Sequence, residues 1–146
     1  MEKQPEFPVN FIYGDVAKLP FEDEHFDVAG ISFAFRNLTF RNPDTPIFLS
    51  EILRILKKGG RFVIVESSQP KSGLYRWIFH LYMNVYVSWL GRIISGNKGA
   101  YKYFSYSVTH FYTPEEIKEL LMKAGFTEVR YEPLFGGVAG IHVAIK

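Results

Sequence analysis

The stretch FIYGDVAKLPFEDEHFDVAGISFAFRN, residues 11–37, decides the fold. Two apolar, β-prone runs each stop on a small polar cluster, and between them lies a tight acidic turn rather than a helix. Residues 9–14, VNFIYG, are β-branched and aromatic and close on Gly14 and Asp15, which predicts a buried strand ending in a turn. Residues 27–35 are nearly all apolar, as expected of a parallel strand covered on both faces, and that run ends at Phe35, Arg36 and Asn37.

Outward from this stretch, Thr45 and Pro46 predict an N-cap and first turn, and Leu49, Ile52, Leu53 and Leu56 then share one helical face. Gly59 and Gly60 are expected to end that helix before a strand over residues 61–66, RFVIVE. From residue 73 to 94 the apolar residues Leu74, Trp77, Ile78, Leu81, Val85 and Trp89 recur at helical spacing, with Arg76, His80 and Asn84 on another face. Such a helix has the length to cross a bilayer, but its polar stripe predicts that it packs on the domain or lies at a surface. A polar loop, SGNKGA, and an aromatic segment, YKYFSYSVTHFY, follow. Thr113, Pro114 and Glu116 form a capping-box signature ahead of Ile117, Leu120, Leu121 and Ala124, and Gly125 stops the helix. The remainder reads as two strands joined by a Gly-rich bend, so the chain is an α/β sheet with an antiparallel C-terminal edge.

Composition narrows the function classes. A chain of 146 residues fits a single domain with one core. A net charge of +2 from scattered Lys and Arg is no nucleic-acid footprint. The absence of cysteine excludes disulfides, thiolate zinc sites and a cysteine nucleophile, and the polar start lacks a signal peptide's apolar run, so a cytoplasmic protein is the expectation. Aromatic residues reach 17%, enough to enlarge the core or to line a site for a flat, greasy ligand.

In open α/β sheets ligands bind beyond the carboxyl ends of the strands, which makes Asp15, Ser32, Arg36 and Glu66 site candidates. Asp15 has the chemistry to accept from an exocyclic amine such as that of adenine, or to cap its own turn. Ser32 can donate or accept, and Glu66 reads equally as a strand end bound to neighbouring backbone.

The segments GDVAKLPFEDEHFDVAGISFAFRN and EILRILKKGGRFVIVESS resemble the ubiquinone/menaquinone biosynthesis C-methyltransferases, the UbiE family. The GD-x-x-x-LPF turn, the SF-x-x-RN strand end and the K-K-GGRF-V-x-V-E-x-S strand stand in family order and spacing, and AYKYFSYSV and FYTPEEIKELLMKAGF resemble later family segments. The resemblance implies S-adenosylmethionine as cofactor, with Asp15 and the backbone of Val16 at its adenine and Ser32 as a further contact. It implies a lipophilic quinol as substrate, no metal, and contact with the membrane periphery. Arg36 and Asn37 fall on the family's RN pair, where a cation beside the quinol could stabilise phenolate charge or position a water. Residues 73–112 are then the substrate cover, with His80, Tyr101 and Tyr103 as lid candidates; the alternative is ordinary helical core and packing.

The sequence has no counterpart of the family's Gly-rich cofactor loop between a leading strand and a helix. The expectation is therefore an incomplete class I S-adenosylmethionine-dependent methyltransferase fold of Rossmann-like type, mainly parallel, with its first two strands missing. The strand at residues 9–14 is then left without its neighbours, and open edges invite pairing with a second copy or with the missing N-terminal segment. Two alternatives to quinol methylation are a non-catalytic, self-associating α/β module and a related methyltransferase acting on another small molecule.

Overall fold

The computed structural model describes residues 9–87, 89–90, 93 and 98–146. In chain order its elements are β1 (Phe26–Ser32), α1 (Phe35–Thr39), α2 (Thr45–Ile55), β2 (Leu56–Ser67), α3 (Gly73–Leu81), a π-helical turn (Tyr82–Val87), α4 (Lys98–Thr109), α5 (Pro114–Ala124), β3 (Glu128–Leu134) and β4 (Ala139–Ile145). The four strands form one mixed sheet in the order β1-β2-β4-β3. β1 runs parallel to β2, whereas β4 is antiparallel to both β2 and β3.

Strand register assigns the two faces. Ala29, Ile31, Phe62, Ile64, His142, Ala144 and Val129 share one side through the pairs Ala29↔Phe62, Ile31↔Ile64, Ile64↔His142 and Val129↔Ala144. α2 and α5 cover this side, and Leu49, Ile52, Ile117, Leu121 and Phe126 close the core on it. On the opposite side Val28 is 55% exposed, and Val63, Val65, Ile141 and Val143 are half-buried. Close packing on the covered side uses a glycine: a Cβ at Gly140 would overlap the Tyr131 ring.

The capping box at Thr113 and Glu116 forms as expected, and Gly125 ends α5 in the left-handed region. Five expectations need correction. Residues 9–14 are not a strand: Phe11 and Tyr13 are fully exposed, and among the described residues the only pairing near them is an isolated bridge between Asp15 and Lys18. β-propensity alone does not make a strand, because the backbone groups need a partner ladder, and the outer edge of β1 pairs with none of the described residues. The strand expected over residues 27–35 ends at Ser32, because Phe33 takes a φ of 51° and turns the chain into α1. Arg36 and Asn37 therefore sit on a helix, not at a strand end.

The glycine pair does not terminate α2, since β2 begins at Leu56 and passes through it. Gly59 has a φ of 74°, and a Cβ at Gly60 would lie 2.8 Å from the Lys57 carbonyl, so the pair bends the start of the strand. The helix expected over residues 73–94 is α-helical only to Leu81 before widening into the π-helical turn, with residues 89–90 and 93 again helical; the rest of that span lies outside the described residues. In the expected loop SGNKGA, residues 98–100 already belong to α4.

The acidic turn after Asp15 is clipped to α2 by one arginine. Arg54 donates from Nη1 to the Phe21 carbonyl (2.8 Å) and Asp23 Oδ1 (2.7 Å), and from Nη2 to the Leu19 carbonyl (3.1 Å). Its Nε and Nη2 also reach Glu51, each at 2.9 Å, and Glu51 Oε2 accepts the Leu19 N–H at 2.9 Å. The Arg54 guanidinium, followed by the Leu19 N–H, holds the Glu51 carboxyl down to about 2. This contribution to stability is complete above about pH 4.5 and is lost as pH falls toward 2, because the unfolded carboxyl takes up a proton first. Acidification through that window is expected to strip hydrogen-exchange protection from the Leu19 amide, and Arg54→Ala to do so at neutral pH. Full protection in that variant would show that the clip does not hold the turn.

His142 is 1% exposed on β4, its ring 4.7 Å from that of Tyr131. Neither ring nitrogen meets a partner at full hydrogen-bond geometry among the described residues, and burial pushes its pKa down to about 4 against the weaker, opposing pull of the Pro114 backbone and the Glu115 carboxylate. Between about pH 6.5 and 4 the unfolded chain binds a proton that the folded chain refuses, so stability falls with pH across that window, by on the order of 3 kcal/mol. Denaturant titrations should show this slope in the native sequence and its loss in His142→Leu; an unchanged slope would acquit His142.

Candidate functional site

At five residues, α1 is too short to stand alone, and its N-cap, Ala34, has no side chain to cap it. The cap comes from the neighbouring strand. Glu66, near the end of β2, accepts the Arg36 N–H at Oε2 (3.0 Å) and the Ser67 N–H at Oε1 (2.8 Å). Its Oε1 also lies 3.6 Å from Arg36 Nη1, in an ion pair whose side chains are 6% and 0% exposed. The guanidinium carbon stands 5.1 Å from the centre of the Phe104 ring of α4, and Arg36 Nε is buried without an acceptor among the described residues. Removing one partner of such a pair leaves a buried, uncompensated charge, at a cost of about 3–5 kcal/mol.

Beside this pair, beyond the carboxyl ends of β1 and β2, an apolar cavity of about 310 Å³ opens. Phe33, Phe79, Tyr82, Phe104 and Phe135 supply its aromatic wall, and Ser67 adds a polar residue to its lining. Phe33 and Phe135 reach it from left-handed backbone, with φ of 51° and 49°. Bulky residues rarely adopt that conformation, which costs on the order of 1 kcal/mol, so two of them on one cavity wall mark a site whose shape is held against local preference. Phe104 joins the two features, since its ring carries the Arg36 guanidinium and also lines the cavity.

The other sequence candidates lie apart from the pair. Asn37 is exposed on α1, and Ser32 is exposed at the end of β1 on the face opposite Glu66. Asp15 is exposed and caps its own turn, its Oδ1 accepting the Ala17 N–H at 2.9 Å, and Val16 beside it is half-buried. No hydrogen bond or ion pair among the described residues joins Asp15, Val16 or Ser32 to Arg36. His80 bonds through Nε2 to Gln69 Oε1 (2.9 Å), and Gln69 Nε2 donates to the Val108 carbonyl (2.8 Å), so His80 ties α3 to α4. Burial, then Arg76 and His110, lower its pKa below the usual value. Tyr101 and Phe104 line a second hollow on α4, while Tyr103 faces solvent.

Sequence reasoning gave no special place to Phe33, Phe79, Phe104 or Phe135, which carry the helical periodicity or turn context of ordinary core residues. Only the density of aromatic residues over the cover region hinted at them. The capping task of Glu66 was legible as one of two readings, binding to neighbouring backbone, and that is the contact it makes.

Comparison with known proteins fits this arrangement. The profile of the ubiE/COQ5 methyltransferase family matches residues 1–146. The chain is 42% identical over 135 residues to the demethylmenaquinone methyltransferase of Thermus thermophilus, covering 92% of this chain and 59% of that protein. It is 35% identical over 138 residues to the ubiquinone/menaquinone biosynthesis C-methyltransferase UbiE of Azotobacter vinelandii, covering 94% of this chain and 53% of that one. It thus spans somewhat over half the length of these curated relatives. Human N-acetylserotonin methyltransferase, solved in complex with S-adenosylmethionine, shares the fold with a TM-score of 0.59 at 18% identity, over 97% of this chain and 36% of that one. With strands and helices arranged as in a class I, Rossmann-like methyltransferase and a family match along its whole length, the chain belongs to the ubiE/COQ5 methyltransferase family.

Proposed function

We propose that this chain serves transfer of a methyl group from S-adenosylmethionine to a ring carbon of demethylmenaquinol or a related polyprenyl quinol. The observation that carries the reading is a buried arginine, fixed by Glu66 and set against the Phe104 ring, which itself lines an aromatic cavity, in a chain of this family. A flat quinol ring suits an apolar, aromatic-lined cavity, and Arg36 Nε is a donor with no acceptor among the described residues. When bound, the cofactor supplies an electrophilic methyl group.

The residues assigned to the cofactor have suitable chemistry. Asp15 spends one carboxylate oxygen on its own turn, which leaves the other as an acceptor for an exocyclic amine, with the Val16 backbone beside it. The Ser32 hydroxyl stands exposed at a strand's carboxyl end, where cofactors of open α/β sheets bind. In this reading Arg36 stabilises oxyanion charge on the quinol ring and the exposed Asn37 amide orients a hydroxyl or a water. A polyprenyl tail requires contact at the membrane periphery. The outer edge of β1, which pairs with none of the described residues, is where a second copy or a further segment would add a strand.

Calorimetric titration with S-adenosylhomocysteine tests the cofactor site: micromolar binding is expected, reduced at least tenfold in Asp15→Ala. Quinol methylation in Arg36→Ala is expected to drop by about 10²-fold or more. Equal binding by the Asp15 variant would remove the adenine assignment, and undiminished methylation by the Arg36 variant would remove the catalytic one.

A further inference from the structure

Among the described residues, the side chains that line the aromatic cavity carry two hydroxyls, those of Ser67 and Tyr82. They are placed differently. Tyr82 is 52% exposed and stacks on Tyr86 with ring centres 5.4 Å apart, so water satisfies its polar end. Ser67 is half-buried at the last position of β2, its N–H donates to Glu66 Oε1 at 2.8 Å, and no hydrogen bond engages its hydroxyl among the described residues. The next residue gives the contrast: Ser68 is 1% exposed, and its Oγ lies 3.0 Å from the Tyr131 hydroxyl. Of two successive serines, one has a side-chain partner within the fold and the other borders an apolar cavity without one.

Strand register fixes the side on which Ser67 stands. It pairs with Ala139 on β4, which lines the same cavity, and Val65, two residues earlier on β2, pairs with Ser32 on β1. Residues two apart on a strand share a face, so the Ser32 and Ser67 side chains lie on one side of the sheet, about 7 Å apart along the strands. Ser67 therefore borders both the strand end assigned to the cofactor and the aromatic cavity.

A ring that carries oxygen gives up hydrogen bonds to water on entering an apolar cavity, which is costly unless a partner replaces them. The Ser67 hydroxyl is such a partner, since it donates to an oxyanion or carbonyl oxygen and accepts from a hydroxyl. Its backbone is fixed by the same carboxylate that holds Arg36, so the hydroxyl is presented from a rigid strand end. We infer that Ser67 is a specificity-determining residue whose hydroxyl binds a ring oxygen of an aromatic substrate in this cavity, and so selects oxygenated rings over bare ones. This deepens the quinol reading and rests on it for the identity of the ring.

Amide NMR of the chain reads the selection without turnover. Titration with 1-naphthol and with naphthalene is expected to move the Ser67, Val138 and Ala139 amides, with 1-naphthol bound about tenfold more tightly although the bare ring is the more hydrophobic. Ser67→Ala should abolish that preference, Ser67→Thr, which keeps the hydroxyl, should retain it, and Tyr82→Phe should leave it unchanged. The amide spectrum confirms that each variant folds, and the preference of the native chain needs no variant. Equal affinity of the native chain for the two rings would overturn the inference, as would binding of neither, a preference that survives in Ser67→Ala, or one lost in Tyr82→Phe instead. Ring binding needs no cofactor, so a chain that shows the Ser67-dependent preference yet binds no S-adenosylhomocysteine would refute the methyl-transfer reading and leave the assignment of Ser67 standing.

Discussion

The site depends on one buried carboxylate. Glu66 supplies the cap that Ala34 cannot, and so fixes α1 against the end of β2. The same group holds the Arg36 guanidinium by charge, and Ser67, which it also binds through the backbone, lines the cavity. A lone Arg36 at 5% exposure would be too costly to bury, so without Glu66 the cation would leave for solvent and α1 would lose its anchor. Sheet, short helix, cation and cavity therefore form a single mechanical unit rather than four neighbouring features.

The covered and uncovered sides of the sheet have different tasks. α2 and α5 complete a core on one side, and through Arg54 and Glu51 that core also positions the turn that follows Asp15. The opposite side keeps Val28, Val63, Val65 and Val143 only partly buried, and the edge of β1 stays unpaired among the described residues. Parallel strands are normally covered on both faces, and among the described residues the β1–β2 pair is fully covered on one. The helical cover presents its own apolar row outward, beside the aromatic cavity.

Much of the fold was legible because its signals are local. The capping box of α5, the helical face of Leu49, Ile52 and Leu53 on α2 and the strand over residues 61–66 each survive as expected, since each needs only its own residues and a nearby face, whereas Leu56, expected on that helical face, opens β2. Failures came where a partner decides. Residues 9–14 have strand composition but no ladder to join, and the run toward Arg36 was cut short by the left-handed turn at Phe33, which no propensity foretells. The site was legible in its charged members and hidden in its aromatic ones: an Arg and a Glu at expected strand ends attract notice, whereas Phe104 reads as one more core residue until the guanidinium is found at its face.

The most direct test of the central claim follows the Arg36 Nε–H proton by NMR in the native chain and in Glu66→Gln, which keeps the side chain's shape and removes its charge. A slowly exchanging Nε–H in the native chain that becomes fast or vanishes in the variant is the result expected if Glu66 fixes the guanidinium in its buried place. The same slow exchange in both proteins would show that Arg36 is held by other means, and the dependence of the site on Glu66 would be refuted.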